Sequence, residues 1–183
     1  METMIGIFCQ YGERVMQMIV EKKIEVVEFE LRYQHAVEEL VLPIQQIEFG
    51  VKITREEQPD LVDIKNVFQK GNGNFWVALC EGKVVGTVGV VDIGSQQVAL
   101  KKMFVRAEFR GKQFGVAQRL MDRAKQWCSA RGVKSILLGT TAKMFAAHRF
   151  YEKNGFVELQ IEELPPNFPV VHVDTKFYKC ERN

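Results

Sequence analysis

Glycines and basic side chains are interspersed between Lys101 and Ala117, where the chain reads KKMFVRAEFRGKQFGVA. An apolar stretch typical of a strand comes first, and a helical pattern begins after the last glycine. Backbone N–H groups at a helix start have no intrahelical acceptor, and the helix dipole adds positive potential there. Arg110 and Lys112 add full charges, so the segment predicts a binding site for a phosphate group. The alternative is an ordinary strand-to-helix turn.

A second helical segment, AAHRFYEKNGF at residues 146–156, follows one strand later. It ends at Asn154-Gly155, a pair that favours helix termination. A phosphate bound at the glycine turn would be part of a larger cofactor, and the rest of that cofactor needs a cleft to bind in. We expect this helix to form the second wall of the cleft.

The elements that must position these two segments alternate between strand and helix from Ile24 onward. Strands are predicted at IEVVEFEL, NFWVALC, KVVGTVGVVDI, QVALKKMFV, SILLG, FVELQ and VHVDTKFYK. Helices are predicted at 33–47 with an interruption at Pro43, at 60–68, from the glycine turn to Gly132, and at 142–153. This order is typical of an α/β (α+β) sandwich around a mixed sheet.

The composition indicates one ordinary domain. The chain has 183 residues, of which 46% are hydrophobic, enough to bury a core of its own. The formal net charge is +2 and basic residues alternate with acidic ones, so no nucleic-acid partner is predicted. No apolar run reaches the roughly 20 residues of a membrane span, so no membrane contact is predicted either.

Cysteine and histidine usage argues against cross-links and metals. The four cysteines at 9, 80, 128 and 180 show no paired spacing, which favours a reducing compartment. His172 and Asp174 are predicted on one strand face, but no third ligand accompanies them, so no metal site is predicted. We therefore expect a cytoplasmic protein without a metal cofactor.

The positive charge of the chain is concentrated around the glycine turn. Six basic residues surround it in the sequence, namely Lys101, Lys102, Arg106, Arg110, Lys112 and Arg119. Such a cluster suits a polyphosphate ligand, and the alternative is a solvated charged surface.

Residues 1–23 form a separate N-terminal extension in which no chemistry is visible. Apolar residues recur there at helical spacing despite Gly6 and Gly12, which is compatible with an amphipathic helix docked on the domain. Two alternatives stay open, namely a frayed tail, or sequence upstream of a start at Met16 or Met18.

The order of the elements, with MFV before RGKQFG and HRFYEKNGF after the next strand, resembles the GNAT superfamily of acetyl-CoA-dependent N-acetyltransferases. The resemblance covers about Ile24 to Cys180 and implies one such domain at 24–183. It also implies a mixed, mainly antiparallel central sheet of six to seven strands with helices on both faces.

The family's phosphate-loop pattern, R/Q-x-x-G-x-G/A, falls on RGKQFG, with Gln113 in place of the middle glycine. The resemblance implies that Met103, Phe104 and Val105 pair with the pantetheine arm of the cofactor. The loop residues implied to hold the pyrophosphate are Arg110, Gly111, Lys112, Gln113, Phe114, Gly115 and Val116. A side chain at position 113 restricts positive φ, so this substitution is the main departure from the pattern.

The second helix departs from the family as well. Met144 stands where many relatives carry an asparagine at the helix start, and Thr140 or Thr141 is the expected substitute for its cofactor contact. His148 lies one turn before Tyr151 and is expected to be a cofactor-side or packing residue.

The resemblance implies two catalytic residues. Tyr151 falls where the family has a tyrosine near the cofactor sulfur, and a hydroxyl with an ordinary pKa of about 10 can protonate a leaving thiolate. The backbone N–H of Val105 is expected by analogy to polarise the thioester carbonyl.

The general base stays open in the sequence. Ala99 stands where some relatives carry a glutamate. Asp92, Glu158 and Asp174 are candidates on neighbouring predicted strands, and base catalysis through water is the alternative.

These features predict an N-acetyltransferase that transfers an acetyl group from acetyl-CoA, used as cosubstrate, to a primary amine of a small molecule or peptide in a ternary complex. The alternative is a catalytically inactive sensor or scaffold that binds CoA or acyl-CoA. A nucleotide-dependent phosphotransferase is disfavoured because no GxxxxGK[ST] loop exists.

The acceptor side is predicted at two segments, 42–70 and 164–168. Their acidic residues, Glu56, Glu57, Asp60, Glu162 and Glu163, suggest attraction of a cationic amine. The last predicted strand, VHVDTKFYK, alternates like an edge strand, which permits a homodimer.

Overall fold

A single sheet of seven strands forms the centre of the computed structural model, which describes residues 23–181. The strands are β1 (Ile24–Glu28), β2 (Asn74–Cys80), β3 (Lys83–Gly94), β4 (Gln97–Val105), β5 (Ser135–Thr140), β6 (Val157–Leu159) and β7 (Lys176–Glu181). They lie in the order β1-β2-β3-β4-β5-β7-β6, and β4 and β5 form the one parallel pair in this sheet. The predicted mixed, mainly antiparallel sheet is confirmed. The predicted N-terminal helix falls at positions outside the described residues.

Helices cover both faces of the sheet, as predicted. They are α1 (Gln34–Pro43), α2 (Pro59–Val62), α3 (Ile64–Phe68), α4 (Val116–Ala130) and α5 (Phe145–Lys153). Apolar residues of α1, α2 and α3 share one buried cluster, and those of α4 and α5 contribute to another on the opposite face.

The alternation of side chains in β2 shows how the two clusters form. Phe75 and Val77 pack in the cluster with α1, whereas Trp76 and Ala78 pack in the cluster with α4. All four are fully buried. Successive residues of a strand point to opposite faces, so a continuous apolar run fits a strand covered on both sides.

Two of the predicted helices differ in detail. Pro43 ends α1 without breaking the chain direction, because a wider turn at Ile44–Glu48 continues it, with the Phe49 N–H donating to the Ile44 carbonyl at 3.1 Å. The helix predicted at 60–68 is split at Asp63, whose carboxylate accepts the Asn66 N–H at 3.2 Å and starts α3 anew.

The parallel pair opens towards the ends of its strands. β4 pairs with β5 through Gln97–Ala99 and Ser135–Leu137 alone, and the strands separate beyond these residues. The opening lies directly before the connection from β4 to α4. Since each strand leaves backbone groups unpaired at the opening, the sheet provides a cleft with hydrogen-bonding walls.

The last predicted strand is wrong in its start and its position. β7 begins at Lys176, because the preceding residues form a turn in which the Asp174 N–H donates to the Val171 carbonyl at 2.8 Å. His172 and Asp174 therefore do not share a strand face. β7 lies between β5 and β6 rather than at an edge, so it offers no free edge for a homodimer.

Among residues 23–181, no helix combines the length and apolar character needed to cross a membrane.

Candidate active site

Two cavities meet in the opening between β4 and β5. The first, of about 250 Å³, lies beside the start of α4, and the second, of about 110 Å³, lies deeper beneath the loops at 51–58 and 168–174. Both are lined by the same five residues where they meet, namely Met103, Phe104, Met144, Ala147 and Tyr151. A molecule in the first cavity and a molecule in the second would therefore come together at this junction.

The glycine turn before α4 presents a row of free backbone donors. The N–H groups of Gly111 to Phe114 have no acceptor within the described part of the chain, while the Gly115 N–H donates to the Gly111 carbonyl at 3.2 Å. Gly115 caps α4 with a φ of 60°. This geometry, at the positive end of a 15-residue helix, suits an anion.

Gln113 does not disturb this turn. Gly111 has a φ of 100°, whereas Gln113 is not among the described non-glycine residues with positive φ. The φ of Gly111 is one that residues other than glycine rarely adopt, so the turn favours glycine at position 111 rather than 113. The departure from the family pattern is thus compatible with the loop.

The predicted basic cluster is divided among separate partners. Arg110 donates from Nε to the Val105 carbonyl at 2.8 Å and pairs with Glu48 through Nη1 and Nη2, and Arg106 donates to the Val84 carbonyl at 3.0 Å. The two lysines of β4 line the second cavity, away from the turn. Long-range partners therefore hold Lys101, Lys102 and Arg106 away from the turn, whereas Arg110 lines the first cavity. A polyphosphate ligand of the remaining basic residues stays a prediction.

Val105 directs its backbone into the opening. It pairs with Gly86 in the ladder, and the Arg106 N–H donates to the Val85 carbonyl at 2.9 Å. In an antiparallel ladder this makes Gly86 and Val105 a non-hydrogen-bonded pair, so the N–H of Val105 points away from β3. Met103 and Phe104 line both cavities beside it.

Tyr151 lies at the junction with its ring among aromatic neighbours. Its side chain packs near Phe156 and Tyr178, and its hydroxyl has no hydrogen-bond partner among residues 23–181. Burial raises the pKa of this hydroxyl well above its ordinary range, and the charge of Asp174 raises it further. The phenol is therefore held in its protonated form, as a donor.

Of the three carboxylates proposed as bases, Asp174 alone lines a cavity at the junction. One carboxylate oxygen accepts the Val171 N–H at 3.1 Å, and burial raises the pKa of the group. Asp92 accepts the N–H groups of Asn72 and Gly94, and Glu158 pairs with Lys176, so both have structural partners elsewhere. The sequence could not separate Asp174 from the other two carboxylates, because its pattern predicts Asp174 within a strand rather than in a turn at the cavity.

The residues at the start of α5 have mixed positions. Thr141 and Met144 line the second cavity, and Met144 also lines the first. His148 lines neither cavity and instead contacts the Thr141 carbonyl at 2.9 Å. It is buried beside Tyr178, so its position corresponds to packing rather than to cofactor contact.

The second cavity differs from the acceptor site predicted from the sequence. Both predicted segments do contribute to it, through Gln45, Gln58 and Phe168 among others. None of the five acidic residues predicted to attract a cation lines it. One of them, Asp60, is instead paired with Lys101 and Lys102. The sequence did contain one indication of basic residues in this cavity, a pair of lysines in the otherwise apolar strand QVALKKMFV.

Comparison with solved structures shows the same architecture in other proteins. An acetyltransferase of the GNAT family from Staphylococcus aureus Mu50 superposes with a TM-score of 0.84 at 35% sequence identity, covering 87% of this chain and 99% of that chain. An acetyltransferase from Streptococcus agalactiae 2603 gives a TM-score of 0.83 at 29% identity, covering 87% and 98%.

Sequence comparison leads to the same family. Residues 71–158 match the profile of the GNAT acetyltransferase domain. The N-acetylaspartate synthetase of Xenopus tropicalis is 39% identical over 108 residues, which are 57% of this chain and 38% of that protein, so the chain spans well under half the length of this curated relative. Because the chain is 35% identical to the staphylococcal protein and covers 99% of that protein, it belongs to the GNAT family of acetyltransferases.

Proposed function

We propose that the protein is an acetyl-CoA-dependent N-acetyltransferase that acetylates the primary amine of a small molecule. The observation that carries this proposal is the meeting of two cavities at Tyr151, inside the opening between β4 and β5. The first cavity adjoins a turn suited to phosphate, and the second cavity lies away from that turn. Two substrates can therefore bind at once and react at the junction.

The residues of the first cavity fit coenzyme A. The free N–H groups of Gly111 to Phe114 and the start of α4 suit its pyrophosphate. The N–H of Val105, which points into the opening, suits a hydrogen bond to the extended arm. Arg110 already donates three of its five N–H groups to Val105 and Glu48, and the Glu48 carboxylate offsets its charge, so we assign anion binding mainly to the backbone.

Acetyl-CoA, when bound, supplies a thioester whose carbonyl carbon accepts the amine. Asp174 takes the proton that the amine must lose, and its raised pKa makes it a better base than an exposed aspartate. The N–H of Val105 donates a hydrogen bond to the carbonyl oxygen. Tyr151 donates its proton to the sulfur as the carbon–sulfur bond breaks, so the products are an N-acetyl amine and the free thiol.

The size of the second cavity and the relatives support a small acceptor. The cavity encloses about 110 Å³ and is covered by the loops at 51–58 and 168–174. The relative from Xenopus tropicalis is named for the synthesis of N-acetylaspartate, an acetylated amino acid. A small amine fits this enclosed space better than a folded protein surface does.

Replacement of Tyr151 tests the proposed chemistry. Tyr151→Phe removes the proton donor and preserves the ring packing, so we expect kcat to fall about 100-fold with the CoA dissociation constant unchanged. Thiol release from acetyl-CoA with an amine panel, together with mass spectrometry of the products, measures the first quantity. Calorimetric titration with CoA measures the second.

Tyr178→Phe is a matched control, because Tyr178 lies beside Tyr151 but lines neither cavity. Turnover of Tyr151→Phe at the rate of the parent would remove Tyr151 from the mechanism. CoA binding by the parent with no acetylated product from any amine would instead support the alternative of an inactive CoA sensor.

A further inference from the structure

Lys101 and Lys102 are consecutive in β4, yet both line the same wall of the second cavity. Successive residues of a regular strand point to opposite faces. Here the register between β3 and β4 shifts between Thr87 and Gly89, and Lys102 has a φ of 52°. This bulge brings both ammonium groups to Asp60, at 3.0 Å from Lys101 and 3.1 Å from Lys102.

The carboxylate that holds the lysines lies behind them. Asp60 does not line the cavity, whereas Lys101 and Lys102 do. Its Oδ2 atom is buried and lacks a well-directed hydrogen bond, although it is in ion-pair contact with Lys101. Burial opposes the charge on Asp60, but the two lysines lower its pKa, so the group stays ionised. The wall that a ligand meets is therefore cationic.

The lysines retain donors for a ligand. Lys102 uses one N–H on Asp60 and one on Gln58, whose Oε1 accepts at 2.7 Å, and Lys101 uses its contact with Asp60. An ammonium group has three N–H donors, so one on Lys102 and two on Lys101 have no acceptor within residues 23–181. The Lys102 side chain is 7% exposed, which makes an unused donor costly there.

The two ammonium groups share Asp60 as their one ion-pair partner among residues 23–181. The charge of Asp174, in the same cavity, also favours the charged form of Lys102, but Asp174 makes no ion pair with either lysine. A buried charge with so few contacting partners is unfavourable. The left-handed conformation of Lys102 adds a further cost for a residue other than glycine. An anionic group in the cavity reduces the electrostatic cost, because it supplies further negative charge and the missing acceptors.

We propose that Lys101 and Lys102 bind a carboxylate of the acceptor, which makes the acceptor a small amino acid rather than a cationic amine. This assignment rests on the proposed acetyl transfer. Asp174 lies in the same cavity and suits the amine end of such a molecule. The cavity thus has separate groups for the two charges of a zwitterion.

Acceptor selectivity tests the proposal directly. The panel contains L-aspartate, L-glutamate, glycine and β-alanine, the derivative of each in which every carboxylate is replaced by an amide, and putrescine, taurine and O-phosphoethanolamine. We expect the carboxylate acceptors to exceed their uncharged amides in kcat/KM by about 10-fold or more, the effect of a charge-assisted hydrogen bond.

Two lysine variants identify the residues responsible. Lys101→Gln keeps the Lys102–Asp60 pair and is expected to fold normally, and Lys102→Met removes the second donor. In each we expect KM for the best carboxylate acceptor to rise about 10-fold, while kcat/KM for its amide changes less than about 3-fold. Lys134→Gln, at an exposed site directly before β5, is the matched control.

CoA affinity and thermal unfolding confirm that each variant is folded. Preferred acetylation of putrescine or of the amides would overturn the carboxylate assignment, as would equal losses for both acceptor classes in Lys101→Gln. Preference for taurine or O-phosphoethanolamine would overturn the carboxylate assignment and indicate that the lysines bind a sulfonate or a phosphate. No acetylation of any amine, with CoA binding retained, would instead overturn the proposed transferase activity.

Discussion

At the scale of single residues, burial moves the pKa of Asp174 in the direction that its proposed role requires. Burial raises the pKa, and the Val171 N–H, Lys101, Lys102 and His172 oppose that shift without cancelling it. A raised pKa means that the carboxylate gains its proton at a higher pH than the ordinary value of about 3.9. We therefore expect kcat/KM to fall as the pH drops through a value above 3.9, because the base is then protonated.

Asp174→Asn checks this assignment. The variant should lose about 100-fold in kcat, and its remaining activity should lack the acidic limb of the pH profile. Glu158→Gln is a suitable control, since Glu158 pairs with Lys176 outside both cavities. An acidic limb that persists unchanged in Asp174→Asn would assign the titration to another group.

At the scale of elements, the glycine turn depends on how closely α4 approaches the sheet. A Cβ atom at Gly86 of β3 would lie 2.9 Å from Cγ1 of Val116 and 3.0 Å from Cδ1 of Leu120. Glycine at this position lets the first turn of α4 lie against β3. The free N–H groups that precede Val116 are thereby held beside the opening in the sheet.

Gly86→Ala should displace the start of α4. We expect the free energy of unfolding to fall by about 1–3 kcal/mol, the usual cost of overpacking, and CoA binding to weaken about 10-fold. Chemical denaturation and calorimetry measure the two effects. The double variant Gly86→Ala/Val116→Ala removes the nearest contact and should recover part of both losses. Unchanged CoA affinity in Gly86→Ala would show that the loop geometry does not depend on this packing.

At the scale of the whole molecule, parts of the chain far apart in sequence enclose the second cavity. The loop at 51–58 is tied to α1 by Arg55, which donates to Glu38 from Nε at 2.6 Å and from Nη2 at 3.1 Å. The Arg55 hydrogen bond is the main cause that lowers the pKa of Glu38, while burial opposes it. This pair links the cover of the cavity to the face of the sheet that carries α1.

The lowered pKa of Glu38 predicts how stability depends on pH. The pair stabilises the fold above the unfolded-state pKa of about 4.3, and the contribution disappears as the pH falls through the lower folded-state value. Glu38→Gln should reduce stability at pH 7 by about 1 kcal/mol, or about 2–4 °C in Tm. Glu39→Gln, at the exposed neighbouring position, should change Tm less. A Glu38→Gln deficit that stays constant down to pH 3 would contradict the assignment.

Local sequence patterns determined the family, the mixed sheet and the position of the glycine turn. The continuous apolar run NFWVALC, the glycine at position 111 and the helical pattern after Gly115 depend on neighbours within a few residues, so these features are visible in the chain itself. The predictions of a GNAT protein, of its fold class and of helices on both faces are confirmed. The roles of the predicted site residues stay predictions, to be tested by the variants above.

Long-range contacts determined the rest. Lys102 meets Gln58 across 44 positions, and Arg110 meets Glu48 across 62, so no local pattern could assign these basic residues to their partners. The position of β7 between β5 and β6, and the turn that brings Asp174 to the cavity, depend equally on sheet order. The amino-acid sequence by itself thus determined the family and the cofactor to test. Only the tertiary structure decided which charges line the second cavity, because burial and pairing are properties of the folded chain.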